Sequence, residues 1–477
     1  MGIGKTSKSI KKRVLNTADL FCGAGGATTG LEDALAKKGV EHVGIAINHW
    51  KIAVETMKRN HPAVDTKCMS IEEAVPADLV PGGELDILWA SPSCTHHSRA
   101  KGGKPRSNQL RAQPELILTW LDQIFVRRLI VENVPEFVDW GPLGSDGLPI
   151  KSRVGDCFKA WVAALEARNY VVSWRIVNCA DYGDATTRRR FFLKAVRRGC
   201  GRITWPEPTY AENPQPELFG ERKRWRGIRE CLDLADTGKS IFGRKKPLSA
   251  NTLRRIQVGL KRYCGMEFQM DMLGAGGPDG CRIRSVDEPM VTQHAGGNRV
   301  ALVKPFLVKL RNHETVEPID APITTVTCSG AHHALCTPLV LGQQGGAECR
   351  PADEPCPTIA TKGAIRVITP FVMDMSHPGD THDAGRLNGA DEPMRTVTTR
   401  NNSAAVILPQ LEDGRVVDIR IRMLKPSELA AAHSFPPDYE LTGTRGDMVK
   451  QIGNSVPVRT ASAMCSTDID ELIGMRK

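Results

Sequence analysis

The chain has 477 residues, enough for two or three domains, and an apolar content of 41% that supports a sizeable core. A net charge of +10 and a pI near 8.9 point toward a polyanionic partner such as nucleic acid. No apolar run reaches transmembrane length. The 14 cysteines are scattered without a CxxC pair, which excludes a metal-ligand cluster and fits free thiols in a reducing cytoplasm.

Residues 1–13 read as a basic arm. Gly4-Lys5-Thr6 lacks the leading glycine and the preceding strand of a phosphate loop, and the Met1-Gly2…Thr6 acylation pattern is short enough to arise by chance. Val14–Leu20 is an apolar strand. It ends in Asp19-Leu20-Phe21-Cys22-Gly23-Ala24-Gly25-Gly26, a glycine turn that lets the backbone approach a ligand at the start of the next helix. That helix runs to about residue 38. Residues 42–48 are a second strand and Lys51–Asn60 a helix; between them Asn48 can bond a ribose hydroxyl, and His49 or Trp50 can stack on a base. Residues 85–91 read as a third strand, 114–125 as a helix, 128–132 as a strand, 156–168 as a helix, and 170–177 and 191–196 as strands. Repeated units of this length predict a parallel sheet with helices on both faces.

The pattern changes near residue 203. From there to about 413 the chain is rich in Pro, Gly, Thr and short β-prone runs, with basic helical segments expected only at 221–234 and 251–261. An internal repeat, D-x-P-x-x-T, occurs at Asp287/Pro289/Thr292, Asp320/Pro322/Thr325, Asp353/Pro355/Thr358 and Asp391/Pro393/Thr396. Each copy leads to an apolar run opened by a proline: Pro305, Pro338, Pro370 and Pro409. The period predicts one supersecondary unit, a β-hairpin-like module, copied and stacked. Residues 422–434 and 457–466 read as helices, so the middle region interrupts a single α/β domain. The expected division is 1–13 arm, 14–204 first part of the domain, 205–415 insert and 416–477 final part.

Chemistry gathers at the strand ends. Cys94 follows the third predicted strand in a turn set by Pro92, where a thiol faces the ligand crevice of an α/β protein. Glu132 and Asn133 end the next strand and share that crevice. A thiolate can add to a conjugated ring while a protonated carboxyl activates a ring nitrogen. The basic loop at residues 101–106 suits an anionic backbone. Arg188, Arg189 and Arg190 precede a strand, and Gln451 to Val456 reads as a polar turn near the cleft.

Asp19 to Gly26, Pro92-Ser93-Cys94, Glu132-Asn133-Val134, the Arg188/Arg190 pair and Gly453-Asn454-Ser455-Val456 resemble the ordered motifs of the cytosine-C5 DNA methyltransferases. Arg422-Met423-Leu424, Glu428 and Phe435-Pro436 are similar to the family's penultimate motif. Ser93 separates the usual Pro-Cys, and Asn48 and Thr186 replace the usual acid and glutamine. The resemblance implies a Rossmann-like α/β methyltransferase domain with a long, mostly β insert that carries target recognition. It implies S-adenosylmethionine as cofactor, held by Asp19, Phe21, Gly23, Gly25, Gly26, Asn48, His49, Pro92, Asn454, Ser455 and Val456. Cys94, Glu132, Asn133, Arg188 and Arg190 would be catalytic, with no metal. The implied partner is double-stranded DNA, acted on by a monomer in the cytoplasm, with no membrane involved. The alternatives are a tRNA cytosine methyltransferase and an inactive DNA-binding protein.

Overall fold

The computed structural model of the chain describes residues 14–92, 113–145, 148–214 and 422–474 with their side chains, much of 222–245, and the backbone of short strands between 268 and 421. Its centre is one sheet of seven strands: β1 (Val14–Leu20), β2 (Glu41–Asn48), β3 (Val64–Cys68), β4 (Glu84–Ala90), β5 (Phe125–Asn133), β6 (Tyr170–Asn178) and β7 (Arg189–Arg197), in the order β3-β2-β1-β4-β5-β7-β6. All pairings from β3 to β5 are parallel, and β7 lies antiparallel between β5 and β6. The strand order turns back between β1 and β4. Such a switch point opens a crevice at the carboxyl ends of the strands.

Among the described residues the helices are α1 (Gly26–Ala36), α2 (Lys51–Asn60), α3 (Pro76–Leu79), α4 (Gln113–Gln123), α5 (Asp156–Ala167), α6 (Pro426–Ala432), α7 (Arg445–Asn454) and α8 (Val458–Met475). They cover both faces of the sheet because alternate strand residues point to opposite sides. Leu85, Leu88, Leu129, Val131, Phe191 and Leu193 pack with Ile117 and Trp120 of α4 and Trp161 and Leu165 of α5. Their neighbours Ile87, Trp89, Ile130 and Phe192 pack with Leu31 and Leu35 of α1 and Met464 and Ile469 of α8. Each such aliphatic side chain contributes about 1.5–3 kcal/mol on full burial.

Helix α8 is also fixed by buried charge. Asp468 lies 2.7 Å from the Arg128 guanidinium on β5 and 2.6 Å from Nζ of Lys194 on β7, all three side chains being inaccessible to solvent. Arg128 donates further to the Cys200 and Arg202 carbonyls, and Lys194 to those of Thr204 and Met464. These bonds offset the cost of burying the three charges, with Arg128 Nε left without a hydrogen-bond partner among the described residues. Asp184, before β7, accepts from the Thr460 amide and hydroxyl and so caps the first turn of α8. The C-terminal segment therefore packs onto the sheet through α8.

Several elements differ from the sequence expectation. β3 and α3 were not expected; the segment VDTKC is too short and polar to signal a strand, and only Val64 and Thr66 turn inward. No helix spans 221–234: the described residues there form the short strand Lys223–Arg224 and one 3₁₀ turn, Ile228–Cys231. The helix expected at 422–434 forms as α6 over Pro426–Ala432, opened by a proline suited to a helix's first turn, while Arg422 and Met423 end the strand Arg415–Met423. Arg422 grips Glu428 with two bonds of 2.9 and 2.8 Å, and it also donates to the Asp233 and Asp236 carbonyls. Gln451 to Asn454 closes α7, so the turn begins only at Ser455. The expected helix at 251–261 lies outside the described residues, as do the motif residues of the four repeats. Strands beside those motifs show a unit larger than a hairpin. Leu307–Lys309 pairs antiparallel with both Thr315–Glu317 and His333–Leu335, and Leu339–Gly342 pairs likewise with Arg350–Pro351 and Ile365–Val367.

Candidate active site

The crevice begins where β1 ends. Phe21 takes a left-handed φ of 61°, and Gly23 and Gly25 follow at 55° and 87°, so the chain turns sharply before α1 starts at Gly26. The turn is held by Cys22 N donating to the Ile47 carbonyl and Gly25 N to that of Cys22. A Cβ on Gly26 would stand 2.0 Å from Ser455 Oγ and 2.4 Å from the Val456 carbonyl oxygen. Ser455 and Val456 thus lie directly against the glycine turn, while Asn454 is exposed beside them.

Asp19 is buried at the same strand end. Its Oδ2 accepts from the Thr28 hydroxyl at 2.7 Å, and its Oδ1 has no hydrogen-bond partner. Burial pushes its carboxyl up to about 7, against the lowering effect of Thr28. An orphaned buried acceptor beside a glycine turn and a helix N-terminus fits a ligand that brings a positive or donating group. At the end of β2, Asn48 Oδ1 accepts from Trp50 N at 2.8 Å, so its amide nitrogen remains for a ligand. His49 is exposed, and Lys450 Nζ sits 4.3 Å from the centre of the Trp50 ring. Ser91 N, following β4, donates to the Leu20 carbonyl and ties the Pro92 turn to the end of β1.

The second half of the crevice is built on β5 and β7. Glu132 and Arg190 are nearly inaccessible, and Arg190 Nε lies 3.0 Å from Glu132 Oε1. Next to Glu132, Asn133 donates from Nδ2 to the Pro92 carbonyl at 3.1 Å and accepts the Val134 amide at 2.8 Å. Asn133 therefore fixes the turn two residues before Cys94. Arg188 donates to the Gly453 carbonyl at 3.0 Å, which joins the start of β7 to the end of α7. Ser93, Cys94 and residues 101–106 lie outside the described residues. Of the described cysteines, burial pushes the thiols of Cys22 and Cys465 well up and that of Cys179 to about 12, so these three are poor nucleophiles.

The structure thus brings Asp19, Phe21, Gly23, Gly25, Gly26, Ser455 and Val456 together in one half of the crevice. Pro92, Glu132, Asn133 and Arg190 meet in the other. Sequence reasoning missed Tyr439, His61 and Glu32, which lie under the glycine turn. Tyr439 lies three residues past Pro436, the end of a motif already singled out, and that proximity was the available signal.

Among the described residues no helix is long and apolar enough to cross a membrane, and no group of three or more His, Cys, Asp or Glu is placed to hold a metal. The chain is similar to the DNA (cytosine-5)-methyltransferase 1B of Oryza sativa subsp. japonica, at 27% identity over 250 residues covering 45% of this chain and 15% of that protein. It is 28% identical over 219 residues to the type II methyltransferase M.AgeI of Thalassovita gelatinovora, covering 43% and 46%. It is 26% identical over 254 residues to M.SacI of Streptomyces achromogenes, covering 50% and 63%. The chain therefore spans less than two thirds of each of these relatives. The solved Dnmt2 methyltransferase of S. pombe aligns with a TM-score of 0.49 at 15% identity, over 96% of this chain and 99% of that one. The model of the C-5 cytosine-specific DNA methylases matches residues 15–237 and 363–467, which takes in both halves of the crevice and leaves out most of the insert. On that match the chain belongs to the C-5 cytosine-specific DNA methylase family.

Proposed function

We propose that the chain transfers a methyl group from S-adenosylmethionine to C5 of a cytosine flipped out of double-stranded DNA. The observation that carries this reading is the buried Glu132–Arg190 pair, set beside the Asn133 bond to Pro92 at one end of the crevice. In this reading Cys94 Sγ bonds to C6 of the cytosine. Glu132 donates a proton or hydrogen bond to N3, where negative charge gathers as the ring loses its conjugation. Arg190 orients Glu132 and reaches toward the base O2. Asn133 holds the turn that carries Cys94, and Arg188 anchors the start of β7 to α7. Loss of the C5 proton to water and of Cys94 as a thiolate, with any proton on N3 returned to Glu132, restores aromaticity of the methylated ring.

S-adenosylmethionine, when bound, supplies an electrophilic methyl group on a sulfonium. Asp19, Phe21, Gly23, Gly25 and Gly26 would hold it at the end of β1, with Asn48 and His49 toward its ribose and Pro92, Asn454, Ser455 and Val456 closing the cleft. The unpartnered Asp19 Oδ1 supports this assignment. The insert, residues 205–415, would read the target sequence, and the segment at 101–106 would close on the phosphates with salt-sensitive affinity. The test is labelled methyl transfer with duplex DNA and tRNA offered separately. Label in duplex DNA alone supports the reading. Label in tRNA alone identifies an RNA enzyme, and DNA binding without label identifies an inactive binder.

A further inference from the structure

Below the glycine turn lies a polar cluster that the mechanism leaves unused. The Tyr439 hydroxyl donates to the Ala24 carbonyl, and the Thr29 hydroxyl donates to the Gly25 carbonyl at 2.7 Å. Both hydroxyls also lie 3.1 Å from His61 Nε2. The other ring nitrogen of His61 is 2.7 Å from Glu32 Oε2, and His42 Nε2 lies 3.5 Å from Glu32 Oε1. His42 in turn meets the Thr17 hydroxyl at 2.8 Å on β1. Burial opposes ionisation of Glu32, but hydrogen bonds from His42 and His61 outweigh it and hold the carboxyl at about 2. Glu32 is therefore a carboxylate that orients both rings. His61 is 3% exposed, between a half-buried Glu32 and a half-buried Tyr439.

Two consecutive carbonyls of the turn are thus held from beneath, that of Ala24 by Tyr439 and that of Gly25 by Thr29, and His61 backs both hydroxyls. The packing leaves no slack: a Cβ on Gly25 would meet Met57 Sδ at 2.4 Å, the Tyr439 oxygen at 2.6 Å and His61 Nε2 at 3.0 Å. Carbonyls pinned downward fix the peptide planes of residues 24–26, and so fix where the amides of the turn and the first turn of α1 point. Those amides are what a ligand at the end of β1 would meet. Tyr439 comes from the far end of the chain, so the turn takes its final shape only when the C-terminal segment docks.

We propose that Tyr439 and His61 are positioning residues for the cofactor: the Glu32–His61 pair backs the Tyr439 and Thr29 hydroxyls that hold the Ala24 and Gly25 carbonyls, and thereby sets S-adenosylmethionine affinity. This rests on the proposed cofactor reading. The experiment is calorimetric titration of S-adenosylmethionine into the full-length protein, its Tyr439→Phe variant and its His61→Asn variant, with kcat and KM measured on duplex DNA. Loss of the Tyr439 hydroxyl, which bonds the Ala24 carbonyl and meets His61, should weaken cofactor binding about 3–10-fold. KM for the cofactor should rise in step, while kcat at saturating cofactor and the affinity for DNA change by less than about twofold. His61→Asn should shift affinity in the same direction, with both variants folded by circular dichroism. Unchanged cofactor affinity in folded Tyr439→Phe overturns the proposal, as does a fall in kcat with KM unmoved. Failure of the unaltered protein to bind S-adenosylmethionine overturns the cofactor reading, and this inference with it.

Discussion

Replacing Glu132 by Gln separates what the carboxylate does for stability from what it does for chemistry. Glu132 and Arg190 have side-chain exposures of 8% and 5% and meet at 3.0 Å. Cutting Glu132 to Ala leaves a buried guanidinium without its counter-ion, a change that costs about 3–5 kcal/mol. Gln keeps the shape and one oxygen for Arg190 Nε, so the loss should fall to about 1–3 kcal/mol. At about 2–4 °C per kcal/mol for a domain of roughly 150–250 residues, Glu132→Gln should melt a few degrees low and remain folded at 25 °C. Its amide cannot pass a proton to N3, so kcat should drop by about 10²–10⁴. The assay is single-turnover methyl transfer to duplex DNA, beside a melting curve. A folded Glu132→Gln variant within fivefold of the normal rate refutes the assignment of proton donor.

Two further outcomes follow from the packing and the titration of the crevice. Gly26→Ala should cost about 1–3 kcal/mol and weaken cofactor binding, because its Cβ meets Ser455 Oγ and the Val456 carbonyl; adding Ser455→Ala should restore only part in a melting assay, since the carbonyl stays. Burial raises Asp19 from 3.8 to about 7 and Asp184 from 3.8 to about 6. The folded state then binds more protons than the unfolded one across that window, so these two groups make stability fall as pH rises from about 4 to about 7. Urea titrations of the ligand-free protein should show Asp19→Asn flattening that dependence, and an unchanged slope would contradict the burial argument.

Much of the sheet domain could be read from the chain because its signals are local. Val14–Leu20 and Lys51–Asn60 match their expected bounds, since a β-prone run ending in a glycine turn and a helical spacing need no partner to be recognised. β3 escaped because only its inward side chains are apolar or small, and pairing with β2 rather than propensity makes it a strand. In place of the helix expected at 221–234, the described residues make one 3₁₀ turn that buries Ile228. Asp19, Glu132 and Arg190 were visible as motif residues, yet the bond between Glu132 and Arg190 depends on β7 lying antiparallel to β5. Arg128 looked like one more charged residue at a strand's start, and only the docking of α8 shows it to be a core ion. Tyr439 was hidden for the same reason: its partner, Ala24, lies 415 residues away.

The central claim, cytosine methylation through Cys94, is tested most directly by bisulfite sequencing of DNA from cells that express either the unaltered chain or its Cys94→Ala variant. The account predicts cytosines protected in one fixed sequence context with the unaltered chain and none protected with Cys94→Ala. Protection that survives the substitution, or no protection with either chain, would contradict it.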